Sequence, residues 1–196
     1  MIHFPFKDCW IFSKQLGLNT EGMKSTILNH KREIEEIHVA PLLKGNLKES
    51  HFQFLRECPM PDLENAILTA TEECVYELVG DQFETTNISI SESWYHIASY
   101  GGYHGAHNHS GVPIAGIYYV STNECNENSG LNVFLKPYMT GDPDMYGPLG
   151  TLNKEQHMVL PEDDRLILFP GFLFHSASPY YGKSKRICIA FNIVFH

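Results

Sequence analysis

The sequence is poor in positive charge for its length of 196 residues. It contains 14 lysines and arginines against 23 aspartates and glutamates, so its formal net charge at pH 7 is −9. Proteins that bind nucleic acid or an anionic membrane surface over much of their area carry an excess of positive charge. The composition therefore predicts that neither nucleic acid nor a membrane is the main partner.

Closely spaced pairs of cysteines and long apolar segments are also missing from the sequence. No apolar run approaches the roughly 20 residues of a membrane helix, and the N-terminal MIHFPFKDCWIF lacks the pattern of a signal peptide. An odd, unpatterned set of cysteines is typical of reduced thiols, so we expect a cytoplasmic protein. The five are scattered without CxxC spacing: Cys9, Cys58, Cys74, Cys125 and Cys188.

Helical patterns are confined to the first part of the chain. The first dozen residues resemble a strand, and residues 20–37 carry good helix formers behind Thr20, a suitable N-cap. Residues 61–79 give the clearest helix, with Pro61 at its start, a helical apolar stripe, and Gly80 at its end. These segments predict two helices that follow a strand.

After residue 86 the pattern changes to short strands separated by glycine, proline and asparagine. The runs TNISISESWYHIASYG, IAGIYYVST, LNVFLKP, RLILFPG and RICIAFNIVF are alternating or rich in β-branched and aromatic residues. We therefore predict one α+β domain over residues 1–196. Residues 1–86 would form a strand and helical support packed on one sheet, and residues 87–196 a β-sandwich or jelly-roll core.

A dense histidine cluster lies in SYGGYHGAHNHSG, residues 99–111. On a strand, residues i and i+2 project to the same face, so His107 and His109 can grip one metal ion, whereas His104 has the opposite parity. A third ligand must come from elsewhere, and His175, which we place at the end of an apolar strand, is the best candidate. Chance or structural histidines are the alternative explanation for each of these residues.

Arg186 follows His175 by eleven residues and opens the strongly apolar run RICIAF. A buried guanidinium is costly unless an anion meets it, and its planar fork matches a carboxylate. The functional interpretation is an anchor for the distal carboxylate of a small dicarboxylic acid. The structural alternative is an ion pair with one of the acidic side chains.

Together these stretches resemble the Fe(II)- and 2-oxoglutarate-dependent dioxygenases, whose fold is a double-stranded β-helix. The segments that carry the resemblance span roughly residues 94–195: SYGGYHGAHNH, IAGIYYV, SGLNVFLKP, DDRLILFPGFLFHSAS and KRICIAF. In prolyl-hydroxylase-like members, a glycine-rich turn precedes a His-x-Asp pair, and a distal histidine precedes an arginine by about ten residues. The chain is most similar to a group of short oxygenases with an H-x-H motif.

The resemblance implies roles for individual residues. His107 would be the proximal iron ligand, His175 the distal one, and Arg186 the anchor of the far carboxylate of 2-oxoglutarate. Tyr119 lies where relatives offer a hydroxyl to that carboxylate, and Tyr100 is expected near the same pocket.

Two positions depart from the family pattern. His109 replaces the usual carboxylate, and Cys188 replaces a serine or threonine that supports the co-substrate. Three arrangements remain open: His109 coordinates the iron, water or an anion takes its place, or the register shifts so that His109 and Gly111 form the motif. We favour the first, because His107 and His109 share parity.

The resulting hypothesis is an oxygenase that uses Fe(II), 2-oxoglutarate and O2 to hydroxylate a small-molecule or peptide substrate, with release of succinate and CO2. The loop at residues 136–159 is a candidate cover for the site, and the N-terminal helices are a candidate homodimer interface. The alternatives are a three-histidine, cupin-like dioxygenase or isomerase that does not use 2-oxoglutarate, and a non-enzymatic metal-binding jelly roll.

Overall fold

A computed structural model of the chain describes residues 1–6, 9–30, 45–82, 87–137 and 156–196. The helices are α1 (Thr20–Asn29), α2 (Phe54–Glu57) and α3 (Pro61–Val79). The strands are β1 (Ile2–Phe6), β2 (Cys9–Gln15), β3 (Leu47–Glu49), β4 (Ile88–Ala98), β5 (Gly102–His107), β6 (Ile114–Ser121), β7 (Asn132–Leu135), β8 (Gln156–Val159), β9 (Arg165–Pro170), β10 (His175–Tyr180) and β11 (Arg186–Phe195).

The strands form two antiparallel sheets. The major sheet has the order β1-β2-β9-β6-β11-β4-β3, and the minor sheet has the order β5-β10-β7-β8. Chain neighbours β4 and β5 lie in different sheets, as do β9 and β10, so the chain passes repeatedly between the two layers. This is the α+β jelly roll that the strand pattern predicts.

The helices cover one face of the major sheet. Leu63, Ile67 and Cys74 of α3 are fully buried in the same apolar cluster as Ile189 and Phe191 of β11. Because side chains alternate along a strand, Ala190 between these two faces the opposite side, toward the minor sheet. The prediction of N-terminal helices packed on one sheet is therefore confirmed.

The N-terminal elements differ in detail from their predicted bounds. The helix predicted over residues 20–37 is α1, which ends at Asn29, and residues 31–44 lie outside the described ranges. Its N-cap is Asn19 rather than Thr20, because the Asn19 side chain accepts a hydrogen bond of 3.1 Å from the Glu21 N–H. The helix predicted over residues 61–79 matches α3.

Three further observations bear on the site. His175 begins strand β10 instead of ending an apolar strand, because the chain turns after β9 at Gly171. Most of the loop predicted as a cover, residues 138–155 of 136–159, lies outside the described residues. Within the described ranges, no helix combines the length and apolarity needed to cross a membrane.

Candidate metal centre

Three histidines converge between the two sheets. His107 at the end of β5 is the direct cross-strand partner of His175 at the start of β10. His109 lies two residues beyond β5, and its backbone N–H donates to the Gly171 carbonyl at 2.8 Å. A nitrogen from each of the three rings lies within 4.8 Å of the other two. The structure thus brings together the three histidines that the sequence singles out.

The convergence of His107 and His109 has a different cause from the one expected. The alternation of a strand would put both on one face, but β5 ends at His107, so His109 belongs to the following turn. Gly171 positions that turn, because a Cβ atom there would collide with the Val112 carbonyl. Only glycine allows the two backbones to approach so closely.

Hydrogen bonds fix which nitrogen each ring offers. The Nδ1 of His107 donates to the Gly105 carbonyl at 2.9 Å, and that of His175 donates to the Leu173 carbonyl at 3.0 Å. A carbonyl oxygen can only accept, so both Nδ1 atoms carry the proton. Nε2 is then the unprotonated nitrogen of each ring, which is the arrangement found in metal-binding histidines.

His109 is oriented by a chain of polar side chains. Its Nδ1 donates to the Asn192 Oδ1 at 2.5 Å, and the Asn192 Nδ2 donates to the Glu92 carboxylate at 2.7 Å. Asn192 and Glu92 are cross-strand partners on β11 and β4. This carboxylate–amide–imidazole chain again leaves Nε2 as the nitrogen that can coordinate.

Burial favours the neutral form of two of these rings. It lowers the pKa of His175 well below 6.5, and nearby positive charge on His107 would lower it further. Burial also lowers the pKa of His109, although the hydrogen bond to Asn192 opposes the shift. Neutral imidazole is the form that binds metal ions.

The second feature of the site is a buried cation. Arg186 at the start of β11 is 3% exposed, and its guanidinium donates to the Gly130 carbonyl at 3.0 Å and to the Asn132 Oδ1 at 2.7 Å. Its Nη1 donates to the Cys188 sulfur, a weak acceptor, at 3.7 Å. Among the described residues no carboxylate forms an ion pair with it.

The aromatic ring of Tyr119 lies beneath this guanidinium. The Arg186 Cζ lies 5.7 Å from the centre of its ring, and its hydroxyl donates to the Asn132 Oδ1 at 2.9 Å. Burial raises the pKa of Tyr119, which keeps the phenol protonated, and burial likewise raises the pKa of Cys188. The pocket at Arg186 thus offers donors and a positive charge but no anion.

Both features open onto one cavity. Its volume, with the open mouth included, is about 400 Å³. His107, His109 and His175 line it together with Arg186 and Cys188. A ligand in this cavity can therefore contact the histidines and the guanidinium at the same time.

Not every predicted residue reaches the cavity. Tyr100, which was expected near it, has a side chain that is 64% exposed and packs against Tyr181, with ring centres 5.5 Å apart. The turn between β4 and β5 directs Tyr100 to the surface, so it does not line the cavity. His104 joins a different group, with Glu49 and His96, as its opposite parity suggested.

Sequence reasoning overlooked the amides that orient the site. Asn132 lies between Arg186 and Tyr119, and Asn192 lies between His109 and Glu92. Both asparagines interrupt apolar strands, in LNVFL and IAFNIV, where a polar residue must satisfy its hydrogen bonds inside the fold. That interruption is the signal that could have identified them.

The family described as "Putative 2OG-Fe(II) oxygenase" matches residues 92–192, just over half of the chain. No curated protein matches the sequence.

Several solved structures share the fold at low sequence identity. A prolyl-4-hydroxylase from Pseudomonas putida is 11% identical, with a TM-score of 0.57 over 93% of this chain and 91% of that one. A Trichoplax adhaerens prolyl hydroxylase, in complex with a hypoxia inducible factor peptide fragment, is 15% identical, with a TM-score of 0.58 over 93% and 82%. HygX from Streptomyces hygroscopicus, with nickel and 2-oxoglutarate bound, is 9% identical, with a TM-score of 0.58 over 93% and 82%.

Proposed function

The chain belongs to the 2OG-Fe(II) oxygenase family and is an Fe(II)- and 2-oxoglutarate-dependent oxygenase, and from that premise we propose that His107, His109 and His175 hold its iron. The observation that carries the proposal is the pairing, in one cavity, of three convergent imidazoles with a buried guanidinium that forms no ion pair with any carboxylate in the described ranges. Imidazole nitrogen is a common ligand of iron in proteins.

The donor set fits a divalent metal ion. Each ring has its Nδ1 proton committed to an oxygen acceptor, so its Nε2 lone pair is available in the required tautomer. Three neutral ligands leave the bound ion with its full charge of +2, whereas a set with one carboxylate would leave +1. The dianion of 2-oxoglutarate would then make the site neutral, which favours its binding.

Arg186 is proposed to hold the far carboxylate of 2-oxoglutarate. Its Nη1 donates to a sulfur, which is a weak acceptor, whereas a carboxylate can accept from a guanidinium in a two-pronged arrangement. Asn132 and the Gly130 carbonyl hold the other side of the guanidinium, so its orientation is fixed before any ligand arrives. Tyr119 supports Asn132, and Cys188 lines the same wall.

The iron and 2-oxoglutarate supply the oxidation: O2 is consumed, 2-oxoglutarate is converted to succinate and CO2, and one oxygen atom is inserted into the substrate. The chain's own residues bind and orient these groups in a cavity with apolar walls. We propose that the inserted atom hydroxylates a C–H bond of a peptide or small molecule. The neighbours support this range, since the Trichoplax enzyme is in complex with a peptide fragment and HygX has also been solved with hygromycin B bound.

The cupin-like alternative is not favoured. It requires the same three histidines but has no use for a buried arginine that lines the cavity, and the family match points to the 2-oxoglutarate-dependent enzymes. We also propose a reducing, cytoplasmic setting, because no disulfide joins any of the five cysteines. A homodimer through the helices is supported by exposed Leu28 and Tyr76, and light scattering would test it.

Replacing His175 with alanine tests the proposed ligand set. We expect the variant to lose Fe(II) binding under anaerobic conditions and succinate release from 2-oxoglutarate under air, because a buried ligand is removed from the centre of the set. His51→Ala, which changes an exposed histidine that does not line the cavity, is the matched control and should keep both. Full retention of iron and turnover by His175→Ala would remove that residue from the site.

A further inference from the structure

A second cluster of metal-ligating side chains lies beside the histidine triad. It consists of Glu49 at the end of β3, His96 on β4 and His104 on β5. One ligating atom from each residue lies within 4.8 Å of the other two. None of these side chains belongs to the proposed iron ligands or to the proposed co-substrate pocket at Arg186.

The backbone holds the three residues in register. Glu49 is the direct cross-strand partner of His96 in the β3–β4 pairing. The residues before β3 are tied to both neighbouring strands: the Gly45 N–H donates to the Tyr103 carbonyl at 3.3 Å, and the Ser99 N–H donates to the Asn46 carbonyl at 2.9 Å. Backbone hydrogen bonds therefore hold the segment that carries Glu49 between the strands that carry the two histidines.

The cluster is largely buried and faces the cavity. The side chains of Glu49 and His96 are 10% and 13% exposed, and both histidines line the same cavity as the triad. Removing a carboxylate from water is costly unless positive charge compensates for it. A bound cation would add positive charge to the hydrogen-bonded pair of Glu49 and His96.

We propose that Glu49, His96 and His104 form a second site for a divalent first-row transition metal. The His96 Nε2 and the Glu49 Oε1 are 2.9 Å apart. Ligands about 2.0–2.1 Å from one ion are about 2.9 Å apart at right angles and about 3.4 Å apart at tetrahedral angles. The observed separation therefore suits two adjacent ligands of one ion, which would take the place of the proton that the pair shares.

The donor chemistry defines the class of ion. Two imidazoles and one carboxylate are a set that binds Zn²⁺ and Fe²⁺, while the nitrogen donors disfavour Ca²⁺ and Mg²⁺. The His104 Nδ1 donates to the Gly105 carbonyl at 3.1 Å, so its Nε2 is again the coordinating nitrogen. The carboxylate would leave the bound ion at +1, in contrast to +2 at the three-histidine site.

The two sites would be neighbours without sharing a ligand. The ring centres of His104 and His107 are 4.2 Å apart, and those of His96 and His104 are 5.3 Å apart. An ordinary ion pair of histidine and glutamate occurs elsewhere, between His30 and Glu57 at 3.7 Å. In the described part of the chain that pair has no third ligating group, so it provides a matched comparison.

The test measures metal content on the full chain. Metal-free protein is loaded with Zn²⁺, or with Co²⁺ as a spectroscopic probe, and is then dialysed. The bound metal is measured by inductively coupled plasma mass spectrometry. We expect two ions per wild-type chain, one in Glu49→Gln and one in His175→Ala, and none in the double variant. Glu57→Gln should retain two.

Affinity gives the second measurement. Loss of partners that only orient a ligand costs about 10- to 100-fold in metal affinity, so Glu49→Gln should weaken one of the two binding events by more than about 100-fold. The Co²⁺ absorption spectrum of that variant should lose one component and keep the component of the three-histidine site. His104→Gln provides an independent variant, with circular dichroism as the check on folding.

The outcomes separate this proposal from the proposed iron site. One ion per wild-type chain, with no change in Glu49→Gln and His104→Gln, overturns the second site. A single ion that is lost in both Glu49→Gln and His175→Ala also overturns it, because one ion would then draw on both clusters. Two ions in His175→Ala together with one in Glu49→Gln would keep the second site and remove His175 from the iron ligands.

Discussion

The two faces of strand β11 have different roles. The outer face packs under the helices with four fully buried apolar side chains, Ile187, Ile189, Phe191 and Ile193. The inner face alternates with it and carries small or polar residues, Arg186, Cys188, Ala190 and Asn192. One strand thus separates the residues that stabilise the fold from those that line the cavity, and its two-residue period makes the separation possible.

The largest expected effect is on the outer face. Phe191→Ala should lower the free energy of unfolding by about 3–5 kcal/mol, because it empties a fully buried position. Neighbouring Cys188→Ala on the inner face should cost only about 1 kcal/mol. Urea denaturation of the two variants measures the difference, and equal losses would contradict the separation of the faces.

The next effect is on co-substrate binding. Arg186→Gln removes the positive charge of the inner face, so the dissociation constant of 2-oxoglutarate should rise by about 10- to 100-fold, the worth of one or two charged hydrogen bonds. Calorimetry on the metal-loaded protein measures it, and metal content should be unchanged. Arg165→Gln, at a surface arginine paired with Glu162 at 2.7 Å, is the control. An unchanged 2-oxoglutarate affinity in Arg186→Gln would refute its assigned role.

A smaller effect is expected where the inner face orients a ligand. Asn192→Ala removes the acceptor of the His109 Nδ1 proton and should weaken metal binding by roughly 10-fold. Ser91→Ala is the matched control, because the Ser91 hydroxyl donates to the Asn192 backbone carbonyl and not to its side chain. Competition with a chelator measures both affinities, and equal affinities in the two variants would show that Asn192 does not orient the ligand.

The smallest effect is on the pH dependence of the metal-free protein. Burial lowers the pKa of His175 below 6.5, so the unfolded chain binds a proton that the folded chain does not. The free energy of unfolding should therefore fall as the pH drops below about 6.5, by at most about 1.4 kcal/mol per pH unit for this residue. Urea denaturation between about pH 7.5 and 5.5 should show a flatter profile in His175→Gln. A profile as steep as that of the wild type would argue against burial of this ring in its neutral form.

Local patterns were sufficient for most of the fold. Helix α3 and strand β9 follow their predicted bounds closely, because the signals lie in consecutive residues. The helix has an apolar stripe, a proline at its start and a glycine after its end, and the strand ends at a proline. His175 and Arg186 were candidates because they stand beside the apolar runs RLILFPG and RICIAF, and the family resemblance supplied their expected roles. The position of Asn19 as N-cap needed the structure, because Asn19 and Thr20 are both suitable residues.

Contacts between distant segments were beyond the sequence. Asn132 meets Arg186 across 54 residues, and Glu49 meets His96 across 47, so neither pairing leaves a local pattern. His109 reaches the site through a turn held by Gly171, not through the strand alternation that suggested it. The expectation that Tyr100 lies near the cavity differs from the structure for a related reason. Tyr100 belongs to the turn before β5, where the alternation of a strand does not determine the direction of a side chain.

A crystal grown anaerobically with Fe(II) and 2-oxoglutarate, and measured at the iron absorption edge, tests the account most directly. We predict an anomalous peak for one iron ion within bonding distance of the Nε2 atoms of His107, His109 and His175. A carboxylate of 2-oxoglutarate should lie on the Arg186 guanidinium. Iron found only among Glu49, His96 and His104, or a co-substrate carboxylate away from Arg186, would contradict it.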